Sequence, residues 1–254
     1  MIPVIPWYIT IIVIVTNLTI AVVVWRILAS AAGRSGLPPA AQRTVRTGSA
    51  IFLGGWFAAD LLLAPAPASL VGRNPFYITP LIPILDAAPI TIALLALWRS
   101  SSLRRVIAAV PLAALHGVQV YRAIGVVFLI LLAQGQLPAH FALPAGWGDI
   151  TVGLAAPLVA LALARGARGA RPLAVSWNVL GLLDLFVAVG MGTGLLAPFM
   201  LGARLPAASA MGTFPMILVP TFAVPVSVLL HLLALAGLSR EVRVDARLVP
   251  RPAR

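Results

Sequence analysis

The chain has 254 residues, of which 61% are hydrophobic and 9% are charged, and its mean hydropathy is +1.05. Soluble domains carry about 25% charged residues, so this composition excludes a water-soluble fold. The net charge of +12 comes from arginines in short clusters between long apolar runs, which indicates a membrane protein rather than one that binds nucleic acid, and the absence of cysteine excludes disulfides and thiol catalysis.

Seven apolar runs are bounded by Arg, Pro or Gly and approach the roughly 20 residues that a helix needs to cross a bilayer. They lie at residues 7–29, 48–63, 78–98, 106–133, 147–164, 173–196 and 214–238. We therefore predict an all-α, polytopic transmembrane bundle of about seven spans over residues 1–238, followed by a basic tail at residues 239–254. The first run is interpreted as a span rather than a signal peptide, because no positive charge precedes it.

The arginines predict the orientation of this bundle. If the connecting segments alternate sides, fifteen of the eighteen arginines fall on one side, and the positive-inside rule places that side in the cytoplasm. The N-terminus is then outside and the C-terminus is cytoplasmic. We expect a bacterial cytoplasmic (inner) membrane location, with the lipid bilayer as partner, in a homo-oligomer or a larger membrane complex.

The fourth run is longer than one span requires. Its 28 residues would measure about 42 Å at about 1.5 Å per residue, so the run must tilt, kink near Pro111 or begin as an interfacial helix. The segment that follows, residues 134–146, contains two prolines and is interpreted as an apolar outer loop.

Polar side chains inside the spans are costly in a bilayer and therefore mark a candidate site. This candidate intramembrane site comprises Asp60, Asp86, His116, Gln119, Arg122, Asp184 and His231. Several of these residues lie about 16 to 18 Å from the inner ends of their spans, so we expect them to face a common interior. There an arginine can neutralise one or two carboxylates, or the same groups can be interhelical pairs that only fix helix register.

The fifth run begins at Trp147, and Asp149 follows two residues later, so both are predicted to mark an outer mouth of the site. His116 and His231 are alternative axial ligands for a b-type haem, the one cofactor that the sequence raises. A lone histidine in a span is more often a hydrogen-bonding partner between helices. No spacing typical of a metal site is present, and none is predicted.

Four segments carry a resemblance to a known group of proteins. They are VQVYRAIGVVFL from Val118, LPAHFALPAGWGDI from Leu137, WNVLGLLDL from Trp177 and MILVPTFAVPVSVLLHL from Met216. These segments resemble a widespread family of bacterial multi-pass membrane proteins that has no assigned activity. The resemblance covers roughly the second half of the chain and implies that this half is one unit, without implying a reaction or a ligand.

Four functions fit these observations. The first is a bundle whose midplane polar cavity binds or translocates a proton-coupled or anionic small solute. The second is an intramembrane enzyme acting on a lipid or isoprenoid, in which an aspartic acid protonates a double bond, as seven-span terpene cyclases do by fold-level analogy. The third is a b-haem electron-transfer subunit, and the fourth is a structural or regulatory membrane subunit. The sequence leaves open whether the protein is an enzyme.

Overall fold

The computed structural model of the protein describes residues 5–63, 81–203, 205 and 208–248, without the side chains of residues 63, 81–86 and 241–248. All regular elements in these ranges are helical, in agreement with the predicted all-α fold. The helices are α1 (Trp7–Arg34), α2 (Pro39–Leu63), α3 (Leu81–Arg99), α4 (Ser101–Ala108), α5 (Leu112–Ala133), α6 (Ala139–Ala164), α7 (Ala170–Gly192), α8 (Ala197–Leu201) and α9 (Val224–Leu248).

Five of the described helices are long and apolar enough to cross a membrane. They are Trp7–Arg34, Leu112–Ala133, Ala139–Ala164, Ala170–Gly192 and Val219–Arg240. In α3 the apolar part that the structure describes, Ala87–Arg99, is shorter than a span, and α2 is not among the five. The described part of the protein is therefore a membrane-type helical bundle with five such helices.

Proline explains two of the places where the helix boundaries differ from the predicted spans. The run at residues 106–133 is broken, because α4 ends at Ala108 and α5 begins directly after Pro111. The predicted outer loop at residues 134–146 is largely helix, because α6 begins directly after Pro138, eight residues before Trp147. Proline is well suited to the start of a helix, where its fixed φ and missing N–H cost nothing.

The middle of α5 is wound more tightly than an α-helix. Residues Val118–Gly125 form a 3-10 helix between two α-helical ends. In an α-helix, side chains six residues apart point about 120° away from each other, whereas at about three residues per turn they eclipse. The 3-10 segment therefore brings Gln119 and Arg122 close to the face that His116 occupies.

Helix α9 is preceded by a π-helical turn, Val219–Ala223, and Pro225, which follows this turn, changes its hydrogen bonding. Pro225 has no N–H to offer the Thr221 carbonyl one turn earlier. The indole N–H of Trp56 on α2 donates to that carbonyl instead, at 3.0 Å. Trp56 also packs on Phe222, so the irregular turn is held by a side chain from another helix.

The site is enclosed by four helices. α6 packs along α5 on one side and along α7 on the other, and α9 contacts α7 and the first turn of α5. Because α6 runs back between them, α5 and α7 are parallel. Helix α1 packs along α2 and also contacts the 3-10 part of α5, which closes the bundle on that side.

Candidate functional site

A buried guanidinium lies at the centre of the bundle and holds two carboxylates from different helices. Arg122 on α5 is 2% exposed, and its Nε donates to Oδ1 of Asp149 on α6 at 2.7 Å. Its Nη2 donates to Oδ2 of Asp184 on α7, while Nη1 donates to the Gly181 carbonyl at 3.3 Å. One guanidinium against two carboxylates leaves this ion cluster with a formal charge of −1.

Glycines make the space that the ion cluster needs. A Cβ at Gly148 would collide with the carboxylate of Asp184, and a Cβ at Gly181 would collide with the ring of His231. A Cβ at Gly153 would collide with the backbone of α5 next to Arg122. Gly153 therefore lets α6 approach α5 closely, whereas Gly148 and Gly181 leave room for the side chains of Asp184 and His231.

A chain of hydrogen bonds continues from the ion cluster along α5 and α7. Nη1 of Arg122 contacts Nε2 of His231 at 3.0 Å, and Nδ1 of His231 contacts Oδ1 of Asn178 at 2.9 Å. Nδ2 of Asn178 in turn contacts Nε2 of His116 at 2.8 Å. The last contact joins Nδ1 of His116 to the carbonyl of Leu112 at 2.7 Å.

The groups at the two ends of this chain determine which ring nitrogens of the two histidines carry a hydrogen. A carbonyl only accepts, so Nδ1 of His116 donates to Leu112 and its Nε2 accepts from Asn178. Arginine only donates, so Nε2 of His231 accepts and its Nδ1 donates to the amide oxygen. With this assignment each bond of the chain has one donor and one acceptor. This pairing requires that both imidazoles are neutral. Trp177 packs against both rings, at 5.4 Å from His116 and 5.0 Å from His231.

These contacts bear on the interpretation of His116 and His231 as axial ligands of a b-type haem. All four ring nitrogens of His116 and His231 are occupied by hydrogen bonds, and one asparagine side chain bridges the two rings. Neither imidazole has a nitrogen left for iron, so the two residues do not fit as axial ligands. Within the described residues, no group of three or more His, Asp or Glu side chains could hold a metal ion.

Four of the predicted site residues are joined in this network, together with Asp149, which was assigned to the outer mouth. Arg122 contacts Asp184 and His231, and His116 is joined to them through Asn178. Asp149 is not at an outer mouth, because α6 begins at Ala139 and therefore carries it ten residues into the helix, where it pairs with Arg122. Trp147 does lie on the outside of the bundle, at 58% exposure.

The remaining predicted residues lie apart from the ion cluster. Asp60 is 2% exposed and lies near Trp56 and Thr221, but neither of its carboxyl oxygens has a hydrogen-bond partner among the described residues. The amide of Gln119 is fully buried and likewise without a partner in this part of the chain. Asp86 is on α3, and its side chain lies outside the described part.

A larger cavity lies where α5 and α7 begin. Its volume is about 550 Å³, and Leu112, the last acceptor of the hydrogen-bond chain, is part of its wall. The other walls come from the end of α6 and the start of α7, including Ala164 and Ala170. The hydrogen-bond chain therefore connects the ion cluster with a cavity at one end of the bundle.

The central role of Asn178 was not predicted, although one sequence signal points to it. His116 and Arg122 are six residues apart on α5, and Asn178 and Asp184 are six residues apart on α7. Two parallel helices with the same spacing can pair at two levels, about 9 Å apart along their axes. The structure shows these two pairs, with His231 between them.

The ion cluster and the hydrogen-bond chain lie within residues 79–239, which match the family model described as "Domain of unknown function (DUF8737)". Helices α1 and α2 precede the matched region. No curated protein and no solved structure matches the chain. Since the matched region is more than half of the 254 residues, the protein belongs to this family of unknown function.

Proposed function

We propose that this protein is a proton-coupled translocator of a small solute, and that Asp149, Arg122 and Asp184 form its proton-binding site. The observation that carries the proposal is the excess of one carboxylate over one guanidinium in a buried cluster. A net charge is costly in a low-dielectric interior, and binding one proton removes it. An anionic solute is disfavoured, because four of the five N–H groups of Arg122 are already donated to the protein itself.

Proton binding at this site can be coupled to movement. The two aspartates come from α6 and α7, and both are held to α5 through the same side chain. Protonation of either carboxylate replaces an ion pair by a weaker hydrogen bond from the guanidinium to a neutral carboxyl group, which loosens one helix from α5 while the other stays paired. The chain through His231, Asn178 and His116 fixes the opposite side of Arg122, so the guanidinium keeps its place during this change.

The lipid-modifying alternative gains no support from the geometry. The cavity beside the ion cluster has a volume of about 30 Å³, far below the roughly 300 to 1,000 Å³ of typical ligand pockets. The cavity of about 550 Å³ at the start of α5 and α7 is large enough, but its lining residues include no aspartic acid that could protonate a substrate. If the same residues only pack the helices together, their substitution should not change proton transport specifically. The following experiment separates this packing role from proton-coupled transport.

Liposomes that contain purified protein and a trapped pH-sensitive dye test the proposal. An inward proton gradient is applied, with and without a panel of small neutral and cationic solutes outside. We expect solute-dependent acidification that is lost in Asp149→Asn and in Asp184→Asn and retained in Asp245→Asn, a chemically identical change in the basic tail. Acidification equal in all three variants, or a wild type that matches protein-free liposomes with every solute, would refute the proposal.

We further propose the seven-span topology in the bacterial inner membrane, with the N-terminus outside and the C-terminus in the cytoplasm. The support is that the apolar run 48–63 in α2 and the apolar helix α3 can add two spans to the five long helices, and that the arginine clusters then fall on one side. Because the chain has no cysteine, single cysteines can report the sides. In intact cells, Gln134→Cys is expected to react with a membrane-impermeant maleimide and Ala167→Cys is expected to be protected. The reverse pattern would invert the orientation.

A further inference from the structure

A buried carboxyl group on α2 lies apart from the ion cluster. Asp60 is 2% exposed, and neither of its oxygens has a hydrogen-bond partner among the described residues. Both ion pairs in the described part of the chain are made by Arg122, and Asp60 takes part in neither. A carboxylate that is buried without a partner is so costly that such a group takes up a proton instead. We therefore expect the carboxyl group of Asp60 to be neutral.

The cations on the helices around Asp60 lie far from it or are exposed. Helix α2 contacts α1, α4 and the π-helical turn before α9, and that turn contains no charged residue. The indole of Trp25 on α1 donates to the Arg46 carbonyl, and this level is 14 residues, or about 21 Å, from Asp60 along α2. The two arginines of α4 are exposed. The other titratable or charged side chains of α1, α2 and α4 are Tyr8, Arg26, Arg34, Arg43, Arg46, Arg104 and Arg105. Asp86 is on α3, which also packs on the π-helical turn, and its side chain lies outside the described part.

Two hydrogen-bond donors lie near Asp60, and backbone carbonyls use both. The indole N–H of Trp56 donates to the carbonyl of Thr221 at 3.0 Å. The hydroxyl of Thr221 donates to the carbonyl of Ile217 at 2.9 Å. Both side chains adjoin the carboxyl group of Asp60. A neutral carboxyl group leaves these donors where they are, whereas a carboxylate only accepts hydrogen bonds and attracts donors more strongly than a carbonyl does.

We propose that Asp60 is a second proton-binding site, and that loss of its proton transfers the N–H of Trp56 and the hydroxyl of Thr221 from backbone carbonyls to the carboxylate. The π-helical turn then loses the hydrogen bond that α2 makes to it. This turn leads directly into α9, which carries His231, so the proton on Asp60 influences a helix of the ion cluster. Single π-helical turns are frequent at functional sites. The inference goes beyond the proposed function, because it requires proton binding at Asp60 but no transport.

Infrared difference spectroscopy of the full chain in lipid vesicles tests this inference. The carbonyl stretch of a neutral carboxyl group disappears when the group ionises, so a pH titration of this band reports the proton directly. At neutral pH we expect a band that is absent in Asp60→Asn and present in Asp245→Asn, the same change in the basic tail. The band should also persist in the double variant Asp149→Asn, Asp184→Asn, because it does not come from the ion cluster.

A second variant keeps Asp60 and tests the donors, including the case in which Asp60→Asn fails to fold. Thr221→Val removes a donor that the carboxylate would use, so the band should disappear at a pH higher by about one unit or more. Its control, Thr19→Val on the exposed side of α1, should leave the titration unchanged.

Two results would overturn the inference. They are spectra at neutral pH that are identical in the wild type and Asp60→Asn, and a titration midpoint that Thr221→Val leaves unchanged. Both results leave the proposed function intact if the liposomes still show solute-dependent acidification. A band with the expected behaviour, in a protein that shows no such acidification, supports the Asp60 site and defeats only the proposed function.

Discussion

Replacement of Arg122 by methionine tests the energetics of the ion cluster. The change removes four hydrogen bonds and leaves Asp149 and Asp184 as two buried carboxylates without their cation. Breaking a buried ion pair by removing one partner costs about 3 to 5 kcal/mol. At about 2 to 4 °C per kcal/mol for a chain of this size, Arg122→Met should lower the unfolding midpoint by roughly 6 to 20 °C.

The assay is thermal unfolding of the detergent-solubilised protein, followed by intrinsic fluorescence and by size-exclusion chromatography after heating. The matched control is the triple variant Arg122→Met, Asp149→Asn, Asp184→Asn, which removes all three charges together. Neutral side chains of similar size replace a buried ion cluster at little cost, so most of the lost stability should return. Acidic buffer should also narrow the deficit of the single variant, since protonation neutralises its two carboxylates. A single variant as stable as the wild type, or a triple variant no more stable than the single one, would refute the reasoning.

Two further substitutions test the packing that supports the site. Gly181→Ala places a methyl group against the ring of His231 and should destabilise the protein by about 1 to 3 kcal/mol. Its control is Gly54→Ala, where a Cβ meets open space, which should be neutral or slightly stabilising. Equal unfolding midpoints for the two variants would contradict the steric argument. Trp56→Phe removes the indole N–H that donates to the Thr221 carbonyl, and it should lower the stability of the protein by about 1 to 3 kcal/mol. Pro225→Ala in the Trp56→Phe background should recover part of that stability, because it restores a backbone N–H for the same carbonyl. A double-mutant cycle with no coupling between these two positions would show that the indole does not substitute for the missing N–H.

The sequence alone determined that the protein is a helical, membrane-type protein, and it predicted a common depth for the polar residues of its spans. Long apolar runs separated by arginine clusters require helices in a bilayer, because only a helix satisfies its own backbone there. The same reasoning predicted that Arg122, Asp184 and His231 face one interior, since charges in a span turn away from lipid, and these three side chains are in contact in the structure. Both conclusions depend on composition and spacing, which are local properties.

The tertiary structure decided which of the polar residues meet. Asp149 joins the ion cluster because α6 begins after Pro138, and the tight winding of α5 brings His116 and Arg122 towards one face. Asp60 is predicted at a comparable depth, but in the structure it lies beside Trp56 and does not contact the guanidinium. Spacing along one helix predicts depth in the membrane. Which face points to which neighbour depends on local winding and on where glycines let two helices approach, and these are settled only when the helices pack.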